Sequence, residues 1–156
     1  FVLLAGCRAA PDGTAAAGGI TWSIAIHGGA GTIDRGASPE VLQQYEFALT
    51  RVLTYGRDRL AQGAHALDVC EEVVRALEDE PLFNAGKGAV FDEDGKHALD
   101  ASIMDGTTLR CGAVAGLRTV QNPISLARLV MERTPHVLLA GDGAEQFATA
   151  MGVPRV

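Results

Sequence analysis

The chain has 156 residues, 47% hydrophobic and 21% charged, with mean hydropathy +0.14, which excludes a disordered tail, a collagen-like repeat and a multi-span membrane protein and leaves one domain or part of one. Lys and Arg number 13 against 19 Asp and Glu, a net charge of -6, and the basic residues form no cluster, so the chain has no electrostatic footprint for nucleic acid. Aromatic residues make up only 5% while there are 19 glycines, so the core must be small and aliphatic and the backbone itself looks specialised.

Phe1-Val2-Leu3-Leu4-Ala5-Gly6-Cys7 is an apolar run closing on small residues before a cysteine, the pattern of the end of an export signal. Leu4-Ala5-Gly6-Cys7 resembles the bacterial lipobox, whose cysteine is lipidated and becomes the mature N-terminus; a chance strand of the same composition is the other reading. Residues 8–19 are Ala, Gly, Thr, Pro and Asp without periodicity and read as a flexible tether, so the folded domain is expected over 20–156. On this reading the protein is exported, on the periplasmic side, and lipid-anchored through Cys7 without spanning the membrane.

Trp22 to Ile26 alternates into β-formers and feeds the glycine-rich run His27-Gly28-Gly29-Ala30-Gly31, which predicts a strand and a loop. Ser38 and Pro39 supply an N-cap and a first helical residue, and the apolar spacing from Val41 to Leu53 predicts a helix to about Gln62, stopped by Gly63. A second helix is predicted from Leu67 to Glu78, burying Val69, Val73, Val74 and Leu77 and ended by Pro81. From Ala89 the period becomes two. Ala89 to Phe91, Ala98 to Met104 and Leu109 to Leu117, separated by Asp-Gly turns, predict two consecutive hairpins and an antiparallel meander. Asn122-Pro123 opens a helix through Glu132, His136 to Ala140 is a strand or extended connector, and Gly143 to Met151 is a helix closed by Gly152. Met151 to Val156 reads as a chain that continues rather than one that is finished.

Most chemical motifs fail on inspection. The glycine run has no G-K-[ST] and no G-x-G-x-x-G, and its helix starts too late to aim at a phosphate; it reads as a plain turn or as a loop serving an active site. Asp92-Glu93-Asp94-Gly95 lacks the ligand spacing of a calcium loop and reads as a solvated hairpin tip. Asp100 and Asp105 lie on opposite faces of a predicted strand, and His65, His97 and His136 are isolated surface or capping residues. Cys7, Cys70 and Cys111 are too widely spaced for a zinc pattern, and the last two read as small buried hydrophobes. Leu77 to Gly88 remains: a helix stops at a proline and turns through two glycines, displaying Asn84, which reads equally as a turn residue or as a polar group of a site.

Five segments, taken in order, resemble the isoaspartyl peptidase / plant-type L-asparaginase family: Ile26-His27-Gly28-Gly29-Ala30-Gly31, Pro81 to Phe91 around Phe83-Asn84-Ala85-Gly86, Leu99-Asp100-Ala101-Ser102-Ile103-Met104-Asp105-Gly106, Gly112-Ala113-Val114-Ala115-Gly116, and Asn122 to Arg128. The resemblance implies an α+β fold, an αββα sandwich of the N-terminal nucleophile hydrolase type, made as a precursor that cuts itself at a Gly-Thr bond. The freed Thr is both hydroxyl nucleophile and, through its α-amine, base. It implies that this chain is most of the α subunit, that the nucleophilic Thr lies beyond Val156, and that the partners are the chain's own β subunit, an (αβ)2 dimer and a small-molecule or peptide substrate. It further implies that Asn84 supports the nucleophile, that His27, Gly28 and Gly29 sit against the scissile peptide, and that main-chain carbonyls of Leu77, Glu78, Glu80, Phe83, Ala85 and Lys87 hold a structural sodium ion, with no other cofactor. The rival readings are a glycosylasparaginase on the same architecture and a non-catalytic exported binding lipoprotein. A stand-alone structural piece is disfavoured because its sheet would be left with bare edges.

Overall fold

The structure is a computed structural model that describes residues 4–7, 22–29 and 36–156. The tether assigned to residues 8–19 and the end of the glycine run, Ala30-Gly31, lie outside the described residues. In chain order the elements are β1 (Leu4–Cys7), β2 (Trp22–Ala25), α1 (Pro39–Ala61), α2 (Ala66–Glu78), a single 3-10 turn at Gly86–Gly88, β3 (Leu99–Met104), β4 (Cys111–Leu117), α3 (Pro123–Arg133), β5 (Leu138–Ala140) and α4 (Gly141–Met151). The fold is mixed α and β, with one two-stranded and one three-stranded sheet.

β1 pairs antiparallel with β2, Leu4 opposite Ala25 and Cys7 opposite Trp22, so the backbone of the segment read as an export signal forms a strand here. No helix among the described residues is long and apolar enough to cross a membrane.

The helices start and stop where the local chemistry requires. Ser38 is extended and its hydroxyl accepts the Val41 N–H at 3.4 Å, with Pro39 behind it at the first helical position. His65 caps α2 in the same way, its Nδ1 accepting the Leu67 N–H at 3.3 Å. α4 closes on Gly152 in the left-handed conformation, φ 68°. α1 and α2 pack together through Ala48, Val52, Leu60, Val69, Val73 and Leu77, with β2 and Phe83 completing this first core. Gly56 is the close approach: a Cβ there would stand 2.6 Å from Ile24 Cδ1 and 2.9 Å from Val73 Cγ2.

The second core lies between the three-stranded sheet and α3 and α4. Ile103, Val114, Leu117, Ile124, Leu126, Ala127 and Val130 bury one sheet face. Of the predicted meander, the second hairpin forms, and a strand outside it extends the sheet. β3 and β4 are antiparallel, with Met104 opposite Cys111, but β4 reaches β5 through α3, and these two strands run parallel, with Ala113 opposite Leu138. A parallel neighbour requires such a crossover, and the turn motifs visible in the sequence do not report it. The first predicted hairpin fails. Asp92 and Lys96 close a turn, with the Asp92 N–H on the Lys96 carbonyl at 2.7 Å, but residues 89–91 form no strand. Val90 and Phe91 stay exposed, so their apolar pattern has no core face to bury.

The other face of the sheet carries Ser102, Met104, Cys111, Ala113, Leu138 and Ala140, by their cross-strand register. Among the described residues no helix covers it, and Ser102, Met104, Leu138 and Ala140 are exposed.

Candidate active site

The residues singled out by sequence converge on the lower end of the first core. α2 ends at Glu78, and the chain then folds back on itself. The Leu77 carbonyl accepts the Glu80 N–H at 3.3 Å, the Glu80 carbonyl accepts the Phe83 N–H at 3.3 Å, Phe83 accepts Ala85 at 2.8 Å and Ala85 accepts Gly88 at 3.0 Å. Two glycines allow this compaction. Gly86 has φ 49° and a Cβ there would lie 2.4 Å from the Glu78 carbonyl oxygen; a Cβ at Gly88 would lie 2.2 Å from the Phe83 carbonyl oxygen and 2.5 Å from that of Pro81.

Phe83 is buried and meets Tyr45 of α1 edge to face at 5.9 Å, which anchors the turn. Asn84 follows it and is exposed. Its Oδ1 accepts the Val90 N–H at 2.9 Å, which fixes the amide plane, and its Nδ2 makes no hydrogen bond among the described residues. An Asn pinned through its oxygen offers two N–H donors to whatever approaches.

The loop after β2 reaches the same place. A Cβ at Gly28 would stand 3.1 Å from Phe83 Cε1 and 3.4 Å from Leu49 Cδ2, so the His27-Gly28-Gly29 turn lies on the ring that precedes Asn84. His27 and Gly29 are exposed, and the Gly29 N–H donates to His27 Nδ1 at 3.0 Å. Segments 55 residues apart in number, at 28 and 83, thus form one surface. Cys7 is described only by its backbone pairing with Trp22.

Of the six carbonyls expected around a cation, those of Leu77, Glu80, Phe83 and Ala85 each accept a loop N–H. The side chains are engaged elsewhere: Glu80 pairs with Arg51 at 3.1 Å, and Lys87 is exposed. No group of three or more His, Cys, Asp or Glu side chains suited to a metal exists among the described residues, so main-chain oxygen is the donor set that this loop offers a hard cation.

The sequence reading missed a polar junction beneath the loop. Glu78 is 3% exposed; one carboxylate oxygen accepts the Ile124 N–H at 3.0 Å and the other has no partner among the described residues. Burial pushes its carboxyl up to about 7, against the pull of the Ile124 N–H and Asn122. Asn122, at the N-cap position of α3, makes no side-chain cap; its Nδ2 donates to Asp79 Oδ1 at 3.1 Å, and Glu78 supplies the acceptor for the first turn of α3 instead. The signal in the sequence was Leu77-Glu78-Asp79, an acidic pair straddling the end of an amphipathic helix, where one acid falls on the buried face.

A family model described as asparaginase matches residues 20–156. The chain belongs to the asparaginase family. It is 55% identical over 134 residues to an isoaspartyl peptidase of Salmonella typhimurium, covering 85% of this chain and 43% of that protein. It is 53% identical over 135 residues to an isoaspartyl peptidase of Escherichia coli, covering 85% and 42%, and 52% identical over 132 residues to a probable isoaspartyl peptidase/L-asparaginase 2 of Arabidopsis thaliana, covering 85% and 40%. This asparaginase-family chain therefore spans about two-fifths of the length of these relatives.

Proposed function

We propose that the protein to which this chain belongs is an isoaspartyl peptidase with L-asparaginase activity, a threonine hydrolase that matures by cutting itself. The observation that carries the reading is the identity of half or more, over 85% of this chain, to proteins named isoaspartyl peptidase. The junction of His27-Gly28-Gly29 with Phe83-Asn84 supports it, because it joins the two segments that the proposed chemistry assigns to one site.

In the proposed reaction the downstream chain supplies a threonine at a new amino terminus. Its α-amine takes the hydroxyl proton, the alkoxide attacks the side-chain carbonyl of asparagine or of a β-aspartyl peptide, and donors hold the developing oxyanion. Loss of ammonia or of the peptide amine leaves an acyl-enzyme, which water resolves to give the aspartyl product. Asn84 contributes from this half: with Oδ1 held by Val90, its Nδ2 is free to donate towards the nucleophile. A sodium ion held by the carbonyls of Leu77, Glu78, Glu80, Phe83, Ala85 and Lys87 would stiffen the turn that presents Asn84. The exposed face of the three-stranded sheet is the surface on which the β subunit's sheet would complete an αββα sandwich within an (αβ)2 dimer. Export and lipidation at Cys7 complete the proposal; they rest on Leu4-Ala5-Gly6-Cys7, and processing there would remove most of β1 from beside β2.

The test is expression of the full reading frame. Mass spectrometry should find two chains, the second beginning with Thr, and the cut protein should release aspartate from a β-aspartyl dipeptide and from asparagine. Asn84→Ala should lower turnover by about a hundredfold to a thousandfold, as loss of one transition-state donor does. A whole chain that hydrolyses either substrate, or preference for glycosylated asparagine, would overturn the assignment.

A further inference from the structure

Glu78 is an acid where acids are rare. The residue is buried, and its Oε1 reaches across to α3, where it accepts the Ile124 N–H at 3.0 Å. Pro123 has no N–H, so Ile124 carries the first backbone donor of α3, and Asn122 at the cap position leaves that donor to an acid from another helix. Asn122, itself buried, turns its Nδ2 to Asp79 Oδ1 at 3.1 Å. Both acceptors thus lie at the end of α2 and both donors at the start of α3. That helix is a firm anchorage, because Ile124, Leu126, Ala127 and Val130 are buried against the sheet. Glu78 also lies at the base of the turn that carries Asn84. Gly86 folds back over it, so closely that a Cβ would stand 2.8 Å from Glu78 Cβ and 2.4 Å from its carbonyl oxygen. Between the two, bonds from Leu77 to Glu80, Glu80 to Phe83 and Phe83 to Ala85 close the chain into one tight unit. One oxygen of this acid has no partner among the described residues. Leucine would fill the same space without that cost, so packing does not account for a carboxylate here.

We propose that Glu78 is a positioning residue for Asn84: the bond from its side chain to Ile124, seconded by that of Asp79 to Asn122, moors the base of the turn to α3 and so sets the Asn84 amide. The inference rests on the proposed function for the part that Asn84 plays in turnover, whereas the mooring itself is a matter of the fold. Only side chains are involved, so substitutions at 78 and 122 leave every main-chain carbonyl of the turn in the chain.

The experiment uses the full-length protein. kcat and KM for a β-aspartyl dipeptide are measured for wild type, Glu78→Leu, Glu78→Gln and Asn122→Ala, and for Glu78→Leu combined with Asn84→Ala. Amide hydrogen exchange is followed at Val90, whose N–H is bonded to Asn84, and at Ala113, whose N–H is bonded to Val137. Glu78→Leu should lower kcat by about tenfold, the scale of one hydrogen bond, with KM steady, and Val90 should exchange about tenfold faster while Ala113 keeps its rate. Glutamine keeps an acceptor for Ile124 and should recover most of the loss. Because Glu78 acts through Asn84, Glu78→Leu should lower kcat no further once Asn84 is alanine, whereas a merely structural loss would add to it. Asn122→Ala should show the same pattern at about threefold, and it carries the test if the leucine variant does not fold. Wild-type kcat and Val90 exchange in Glu78→Leu, an equal loss with glutamine, additive losses in the double variant, or faster exchange at both amides would overturn the mooring. If the wild-type protein does not hydrolyse the dipeptide, the proposed function falls, and exchange at Val90 alone then decides the mooring.

Discussion

Around the three-stranded sheet, two charged groups, Glu145 and Arg128, are fully engaged. Glu145 of α4 accepts the Arg118 N–H at 2.7 Å, the Thr119 N–H at 3.1 Å and the Thr119 hydroxyl at 2.5 Å, and it also takes the Arg155 guanidinium. Although burial raises its carboxyl, these bonds outweigh it and hold it at about 2. Arg128 joins α3 to α2 through Asp68 at 2.7 Å and Glu71 at 2.9 Å, and meets Glu132 at 2.7 Å. The turn after α2 differs: among the described residues, Glu78 keeps an oxygen without a partner and Asn84 keeps its amide donors. One region has closed its polar network, and the other holds capacity in reserve. Reserve of this kind costs stability, and it accumulates where a partner or a reaction is to be served.

Two glycine substitutions of equal steric severity test the contrast. At Gly112 a Cβ would lie 2.2 Å from the Ala127 carbonyl oxygen and 2.5 Å from the Met131 backbone nitrogen, so α3 must lift from the sheet. Gly112→Ala should cost about 3–5 kcal/mol in chemical denaturation. Gly88→Ala meets the Phe83 carbonyl oxygen at the same 2.2 Å but within a single turn, and should cost about 1–2 kcal/mol while abolishing activity in the full-length protein. Equal losses would erase the distinction between the two regions.

Glu78→Gln probes the reserve directly. The folded carboxyl keeps its proton up to about 7, whereas the ordinary value is 4.5, so the folded state binds more protons in between and stability falls as pH rises through that window. Glutamine should flatten this decline, worth up to about 3 kcal/mol, in unfolding curves taken from pH 4 to 8. An unchanged slope would mean that the carboxyl finds a partner. The smallest effect is expected at Arg51→Ala. This ion pair with Glu80 is 3.1 Å long, but 55% of the arginine side chain is exposed, so the loss should stay below about 0.5 kcal/mol.

What the sequence disclosed follows the range of the forces involved. Ser38-Pro39, His65 and Gly152 act within one turn of chain, and each terminates a helix as its chemistry predicts. β3 and β4 follow from alternation joined by a tight turn. The apolar residues 89–91 looked equally strand-like, yet a strand needs a neighbour, and none pairs with them among the described residues. β5 was ambiguous for the converse reason: its three residues are held as a strand by parallel bonds to β4 across α3, a connection made by tertiary packing. At the site, the glycine run and Asn84 were visible as motifs, but their contact through Phe83 is a fact of folding. Glu78 was read only as a main-chain oxygen, because a buried carboxylate looks like any surface acid until the helix above it is in place.

The bare sheet face has a practical corollary. Ala140 sits on it, exposed and with little side-chain bulk, and in this chain alone a larger residue there would project into solvent and leave melting temperature unmoved. In the proposed sandwich the same enlargement would wedge two layers apart. A mutational scan of residues 1–156 in isolation would therefore score as silent some of the changes most damaging to the assembled protein, and only a screen on the joined halves would reveal them.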